Sequence, residues 1–286
     1  MRLVNRLRRV PVACAMFVLL WALASPAPAA AQEYVALGDS YAAGPLIPVQ
    51  VQPFGCLKSN NNYANLAALQ TGYALADASC SGAETEDMTA SQGVFPEPNP
   101  PQFDRLRADT DAVTLTIGGN DMGFSGIIDQ CVSSSPEGSP CRDYYTRNGG
   151  DELSERIAAT APKVAAVLQG ITARSPQARV AVVNYAAIFP ETGTGCWPQM
   201  PVAEDDVPYL REKQKELNAM LATQAQSNGA RVVDWYTASI GHDACQPPVI
   251  RWVEPMVPVN AAAPVHPNLG GMLGVAPLVA DAIAGP

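Results

Sequence analysis

Histidine is scarce in this chain, with only His242 and His266 among 286 residues. No H-E-x-x-H motif is present, which speaks against a metallohydrolase. C-x-x-C is missing as well, and the cysteine spacings do not suit a zinc site. Lys and Arg are sparse and scattered, 18 against 27 Asp and Glu, for a net charge of −9. That leaves out the basic footprint expected of a nucleic-acid binder. No internal repeat occurs, and no apolar run after the first 31 residues reaches the length of a membrane span. No metal, cofactor or nucleic-acid partner is therefore expected.

What remains is a globular composition, 48% hydrophobic and 16% charged. The N-terminus is basic in "MRLVNRLRR", then apolar in "VPVACAMFVLLWALA", then small in "SPAPAAA". This pattern predicts a secretory signal peptide over residues 1–31, cleaved near Ala31–Gln32, followed by one domain over 32–286. An uncleaved anchor is the alternative, but the apolar run is short for a span. Cys14 leaves with the signal, so six cysteines stay in the mature chain. An even count in an exported protein points to disulfides. The simplest pairing joins neighbours, Cys56–Cys80, Cys131–Cys141 and Cys196–Cys245.

Strand-like and helix-like runs alternate. Strands are expected over 33–39, 73–80, 111–119, 178–186 and 230–236. Helices are expected over 62–72, 151–176, 207–229 and 268–284, with Pro162 as a start or kink in the second. This alternation predicts an α/β fold with a five-stranded parallel sheet covered on both faces. Ligands of such sheets bind beyond the carboxyl ends of the strands. There the chain places Gly-Asp-Ser (38–40), Cys-Ser-Gly (80–82) and Gly-Gly-Asn-Asp (118–121).

A hydrolytic serine needs a base, usually histidine, and donors for a developing oxyanion. Ser40 sits at the end of the first expected strand. His266 lies in "APVHPNLGG", before the closing helix. Asn120 offers a side-chain amide, and Gly82 offers an N–H with no side chain to shield it. Each motif alone also fits ordinary turn chemistry. An α/β-hydrolase lipase would need G-x-S-x-G, and the pentapeptide around Ser40 is G-D-S-Y-A.

Taken together and in this order, GDS, an isolated Gly, GGND and His-Pro resemble the SGNH hydrolases, also called GDSL-type esterases and lipases. The resemblance covers about 33–284. It is strongest toward secreted actinobacterial esterases and lipases with three disulfides, through "GDSYAAG", "GGND" and "GHDAC" (241–245). It implies a three-layer α/β/α sandwich of SGNH or flavodoxin-like type. It implies Ser40 as nucleophile and His266 as general base, then acid. The Ser40 and Gly82 N–H groups and the Asn120 side chain would form the oxyanion hole. The implied enzyme is a secreted, monomeric carboxylic ester hydrolase acting on lipid or small acyl esters. A glycan acyl esterase and a non-catalytic binding module on the same fold are the alternatives.

The family often places Asp three residues before the histidine. Here that position is Ala263. A Ser–His dyad is therefore expected, with the main-chain carbonyl of Ala263 as first candidate to hold the imidazole. Asp243 and Asp234 are possible distant substitutes, while Asp39 and Asp121 read as structural. Leu46, Ile47, Phe124, Trp197 and Trp252 are candidates to line an acyl site, although core packing suits each of them as well.

Overall fold

The computed structural model describes residues 31–285. The expected signal peptide lies outside the described residues except for Ala31. From Ala31 onward the chain packs as one compact unit.

Five strands form one sheet in the order β4-β1-β5-β6-β7. They are β1 (Glu33–Gly38), β4 (Ala74–Asp77), β5 (Ala112–Thr116), β6 (Arg179–Val183) and β7 (Arg231–Val233). All pairings among them are parallel. The central strands β1 and β5 are buried almost throughout, as expected of a parallel sheet covered on both faces. Short β2 (Gln50–Val51) and β3 (Lys58–Ser59) make a separate antiparallel pair inside the loop after β1.

The helices are α1 (Ser40–Ala43), α2 (Tyr63–Thr71), α3 (Phe124–Cys131), α4 (Pro140–Thr146), α5 (Glu152–Arg174), α6 (Asp206–Ser227), α7 (Trp235–Ala238) and α8 (Leu269–Ala284). α2 and α8 pack together, as do α5 and α6. The result is the expected three-layer sandwich. Helix ends follow local chemistry. Asn62 caps α2, and Gly72 closes it in the left-handed conformation. Asn268 caps α8 by accepting from the Gly271 N–H. Asp151 accepts from Leu153 and Ser154 and sets the start of α5. Pro162 therefore lies within α5, and buried Leu153, Ile157, Val164, Val167 and Leu168 continue past it.

The disulfides are Cys56–Cys80, Cys131–Cys141 and Cys196–Cys245. The first ties the loop after β1 to the loop after β4. The second links α3 to α4, and the third links the loops after β6 and β7. No helix among the described residues is long and apolar enough to cross a membrane.

The carboxyl end of β1 is the most constrained point of the sheet. Gly38 has φ +144, and a Cβ there would run into the Thr116 carbonyl oxygen on β5. Its N–H donates to Gln102 Oε1 at 2.7 Å, and its carbonyl accepts from Gln102 Nε2 at 3.0 Å. The same carbonyl accepts from the Cys80 N–H at 3.0 Å. Gly38→Ala should cost roughly 3 kcal/mol or more, through backbone strain and displaced packing. Urea unfolding checks this, and a loss below about 1 kcal/mol would contradict the crowding.

Candidate active site

Because all five strands run parallel, the loops that follow them gather at one edge. Asp39, Ser40, Gly82, Asn120 and His266 come from four such loops. Ser40 opens α1, immediately after Asp39, whose Oδ1 accepts from the Tyr41 N–H at 2.9 Å as an N-cap. A first-turn N–H has no acceptor within its own helix. The Ser40 and Gly82 N–H groups find no acceptor among the described residues.

Ser40 Oγ lies 2.7 Å from His266 Nε2. On the other side of the ring, Nδ1 lies 2.7 Å from the Pro264 carbonyl oxygen. A carbonyl accepts only, so Nδ1 carries the proton and Nε2 is left to accept from the serine hydroxyl. The expected Ala263 carbonyl is displaced from this role by one residue. It accepts the His266 backbone N–H instead, at 3.2 Å. The physical reason is the turn. Val265 adopts φ +59, a left-handed conformation unusual for a β-branched residue. Tyr41 Oη donates to the Val265 carbonyl at 3.0 Å, and the Val265 N–H donates to the Glu254 carbonyl at 3.1 Å. These bonds hold the strained residue in place.

No carboxylate among the described residues bonds the His266 ring. Asp243 accepts from the Cys245 N–H and from Gln246 Nε2. Asp234 caps α7 and accepts from Asn184 Nδ2 at 3.0 Å. Asp121 takes the Thr85 N–H and hydroxyl and pairs with Lys163. His242 stacks on Trp252 with ring centroids 4.2 Å apart, and its Nδ1 meets the Ile250 carbonyl oxygen. Burial pulls the His266 pKa below the ordinary 6.5, with the Pro264 carbonyl opposing.

Asn120 Nδ2 donates to the Ala83 carbonyl at 2.9 Å. An amide NH₂ has two hydrogens, so one stays available. Asp39, read from the sequence as a loop hydrogen-bonder, is fully buried. Its second oxygen accepts from Tyr185 Oη at 2.5 Å, and Tyr185 Oη accepts from the Gly119 N–H at 2.8 Å. Burial pushes the Asp39 carboxyl up to about 7, against the lowering effect of the Tyr185 and Tyr41 donors.

Ser40, Asn120 and Tyr185 border an apolar cleft. Its walls include Met122, Phe124 and Ile127 around α3, Leu153 on α5, and Leu210 and Leu217 on α6. Lys213 also borders it, with Nζ held by Asp151 at 2.8 Å and Glu216 at 2.9 Å. Of the five residues expected to line an acyl site, only Phe124 does so. Ile47 is sealed in the core, and Leu46 points to solvent. Trp252 stacks on His242 and packs over Gly274. Trp197 is partly exposed, with its indole N–H on the Ser133 carbonyl. Tyr185, Gln102 and the cleft walls other than Phe124 escaped sequence reading. Tyr185 does lie just past the end of β6, where strand-end reasoning had a signal to offer.

The profile of the GDSL-like lipase/acylhydrolase family matches residues 36–272. The chain belongs to that family. Lipase 2 of Streptomyces coelicolor is 43% identical over 262 residues, covering 87% of this chain and 86% of that protein. The crystal structure of the extracellular lipase of Streptomyces rimosus superposes with a TM-score of 0.72 at 27% identity, covering 88% of this chain and 100% of that one. Phospholipase A1 of Streptomyces albidoflavus superposes with a TM-score of 0.72 at 26% identity, covering 87% and 98%. This family member is a carboxylic ester hydrolase.

Three outcomes are expected of the titratable groups. Since His266 must be neutral to act as a base, its lowered pKa should put the acid limb of kcat/KM at a midpoint below 6.5. Asp243→Asn and Asp234→Asn should leave kcat within a few-fold, whereas loss of a triad Asp costs about 10⁴-fold. A collapse of kcat in either variant, with the fold retained, would point to a conventional triad. Asp39 gives the opposite sign in stability. Its folded pKa is raised from 3.8 to about 7, so the folded state holds the proton longer than the unfolded state. Its contribution is fully present below the unfolded value and is lost as pH rises to about 7. Urea unfolding of wild type minus Asp39→Asn, at steps across that window, should show this decline.

Proposed function

We propose that the enzyme cleaves esters through an acyl-enzyme on Ser40, with His266 as its base in a dyad. The observation that carries this reading is the 2.7 Å contact between Ser40 Oγ and His266 Nε2, with Nδ1 anchored on the Pro264 carbonyl. Ser40 Oγ attacks the ester carbonyl carbon while its proton passes to His266 Nε2. The carbonyl oxygen becomes an oxyanion facing the Ser40 N–H, the Gly82 N–H and the spare hydrogen of Asn120. Collapse breaks the bond to the alcohol, which leaves with the proton from His266. Water then attacks the acyl carbon as His266 takes its proton; the bond to Ser40 Oγ breaks, Oγ regains the proton from His266, and the acid is released. The Pro264 carbonyl fixes the tautomer but brings no charge, so it stabilises the imidazolium less than a carboxylate would.

The substrate class follows from the cleft. Met122, Phe124, Ile127, Leu153, Leu210 and Leu217 offer an acyl chain an apolar path beside Ser40. This apolar lining supports lipid or simple acyl esters over acyl groups on glycans, whose polar carbohydrate finds few partners along it. The lipase and phospholipase relatives agree with that preference. Export after removal of residues 1–31 fits three disulfides, which persist outside reducing compartments. All groups of the proposed machinery come from one chain, which fits a monomer.

Ser40→Ala should lower kcat by on the order of 10⁴-fold or more. A serine-directed phosphonate should label the wild type at Ser40 and nowhere else. Labelling of another serine would remove the assignment. Ile127→Trp, which fills the cleft wall, should shift the preference among p-nitrophenyl esters toward shorter chains.

A further inference from the structure

The oxyanion donors proposed above come from three separate loops, and something must hold those loops in register. Asn120 is the donor with the most freedom, being a side chain on a glycine-rich turn. One fixed point is its own bond to the Ala83 carbonyl. The other lies one residue earlier, where the Gly119 N–H donates to the Tyr185 hydroxyl at 2.8 Å. That hydroxyl is fully buried and gives its own proton to Asp39 at 2.5 Å. Tyr185 thus joins the turn that carries Asn120 to the residue beside the nucleophile.

The fit around this hydroxyl is close. A Cβ at Gly119 would lie 2.9 Å from Tyr185 Oη and 3.1 Å from its Cζ, so glycine is needed for the approach. Tyr41 packs edge-on against the Tyr185 ring, with centroids 5.1 Å apart. The ring therefore has little room to turn, and the hydroxyl is fixed from both ends.

We infer that Tyr185 is a positioning residue for the oxyanion hole: its hydroxyl, oriented by Asp39, pins the Gly119 peptide and so aims the Asn120 amide at the developing charge. Tyr185 does not touch the reacting atoms in this scheme. This inference rests on the reading of Asn120 as an oxyanion donor, and the experiment separates the two.

The test is a double-mutant cycle of Tyr185→Phe and Asn120→Ala, with kcat and KM measured on a soluble p-nitrophenyl ester. Asn120→Ala alone should lower kcat by ~10²–10³-fold. If it does not, the reading of Asn120 fails and the inference fails with it. Tyr185→Phe alone should lower kcat by roughly 10-fold or more with KM within a few-fold, since the Asn120 amide acts on the developing charge and not on the bound ester. In the Asn120→Ala background, Tyr185→Phe should then add almost nothing, because no amide is left to aim. Multiplying losses in the double variant, with Asn120→Ala behaving as expected, would overturn the inference while sparing the Asn120 assignment. An unchanged kcat in Tyr185→Phe would do the same. If Tyr185→Phe does not fold, Gly119→Ala takes its place in the cycle. It crowds the same hydroxyl from the turn side and must show the same non-additivity.

Discussion

The buried carboxyl of Asp39 accepts from the Tyr41 N–H on one oxygen and from the Tyr185 hydroxyl on the other; the first bond braces the turn that carries Ser40 from within, and the second ties that turn to the loop after β6. Removing a carboxylate from water is costly unless donors satisfy it. Here the donors lower its pKa but do not fully offset burial, which leaves it near 7. The residual cost is tolerated because the same bonds fix three things at once. Tyr41 N–H fixes the first turn of α1 and so the direction of Ser40. The Tyr185 bond fixes the end of β6. Through Tyr185 the constraint reaches Gly119, beyond the end of β5. A neutral residue could fill the space but could not accept both bonds with the same strength.

A second buried acid plays a similar part on the histidine side. Glu254 is fully buried and takes the N–H groups of Val259 and Asn260, with the side chains of Asn260 and Asn268. Burial raises its pKa, yet these hydrogen bonds outweigh burial and leave it lowered. Asn268 in turn caps α8, and the Glu254 backbone exchanges hydrogen bonds with Val265 and His266. The long loop between α7 and α8 has no regular structure, so such side-chain bonds replace a ladder as its support. No carboxylate among the described residues bonds the imidazole, and the nearby acid instead supports the backbone that places the Pro264 carbonyl on Nδ1. In the proposed dyad such a carbonyl would orient the ring without bringing a charge to it.

Much of this could be read from the chain itself, because strand ends in a parallel sheet share one edge. Once 33–39 and 111–119 read as strands, Ser40 and Asn120 had to lie on the same side of the molecule, and the family pattern supplied His266 and Gly82. The identity of the imidazole's partner was one residue off, since it turns on the positive φ of Val265, and no propensity forecasts that conformation for a β-branched residue. The cleft was harder still. Phe124 is the one wall residue the sequence suggests, and the helix that carries it, α3 with Ile127 turned inward, is not among the expected helices. The tryptophans named beside it lie elsewhere, Trp252 packing α8 through its fit over Gly274. A side chain's neighbours across the fold, and not its size, decided which apolar residues face the cleft.

An oxyanion hole works by being organised before charge appears. Donors on a single helix would inherit that order from the helix. In this protein the three proposed donors sit on loops after β1, β4 and β5, so order has to come from bonds between loops. Four such bonds span the gaps. The Cys80 N–H on the Gly38 carbonyl joins the second loop to the end of β1, and Asn120 on the Ala83 carbonyl joins the second and third loops. Tyr185, on the loop after β6, takes the Gly119 N–H and donates to Asp39, joining the third loop back to the first by two bonds. The ties form a closed circuit through the three loops. A chain of ties with a free end would let its last donor swing, but in a closed ring each loop is held from two sides. The Cys56–Cys80 disulfide falls on two of the same loops and adds a covalent tie between the first and the second.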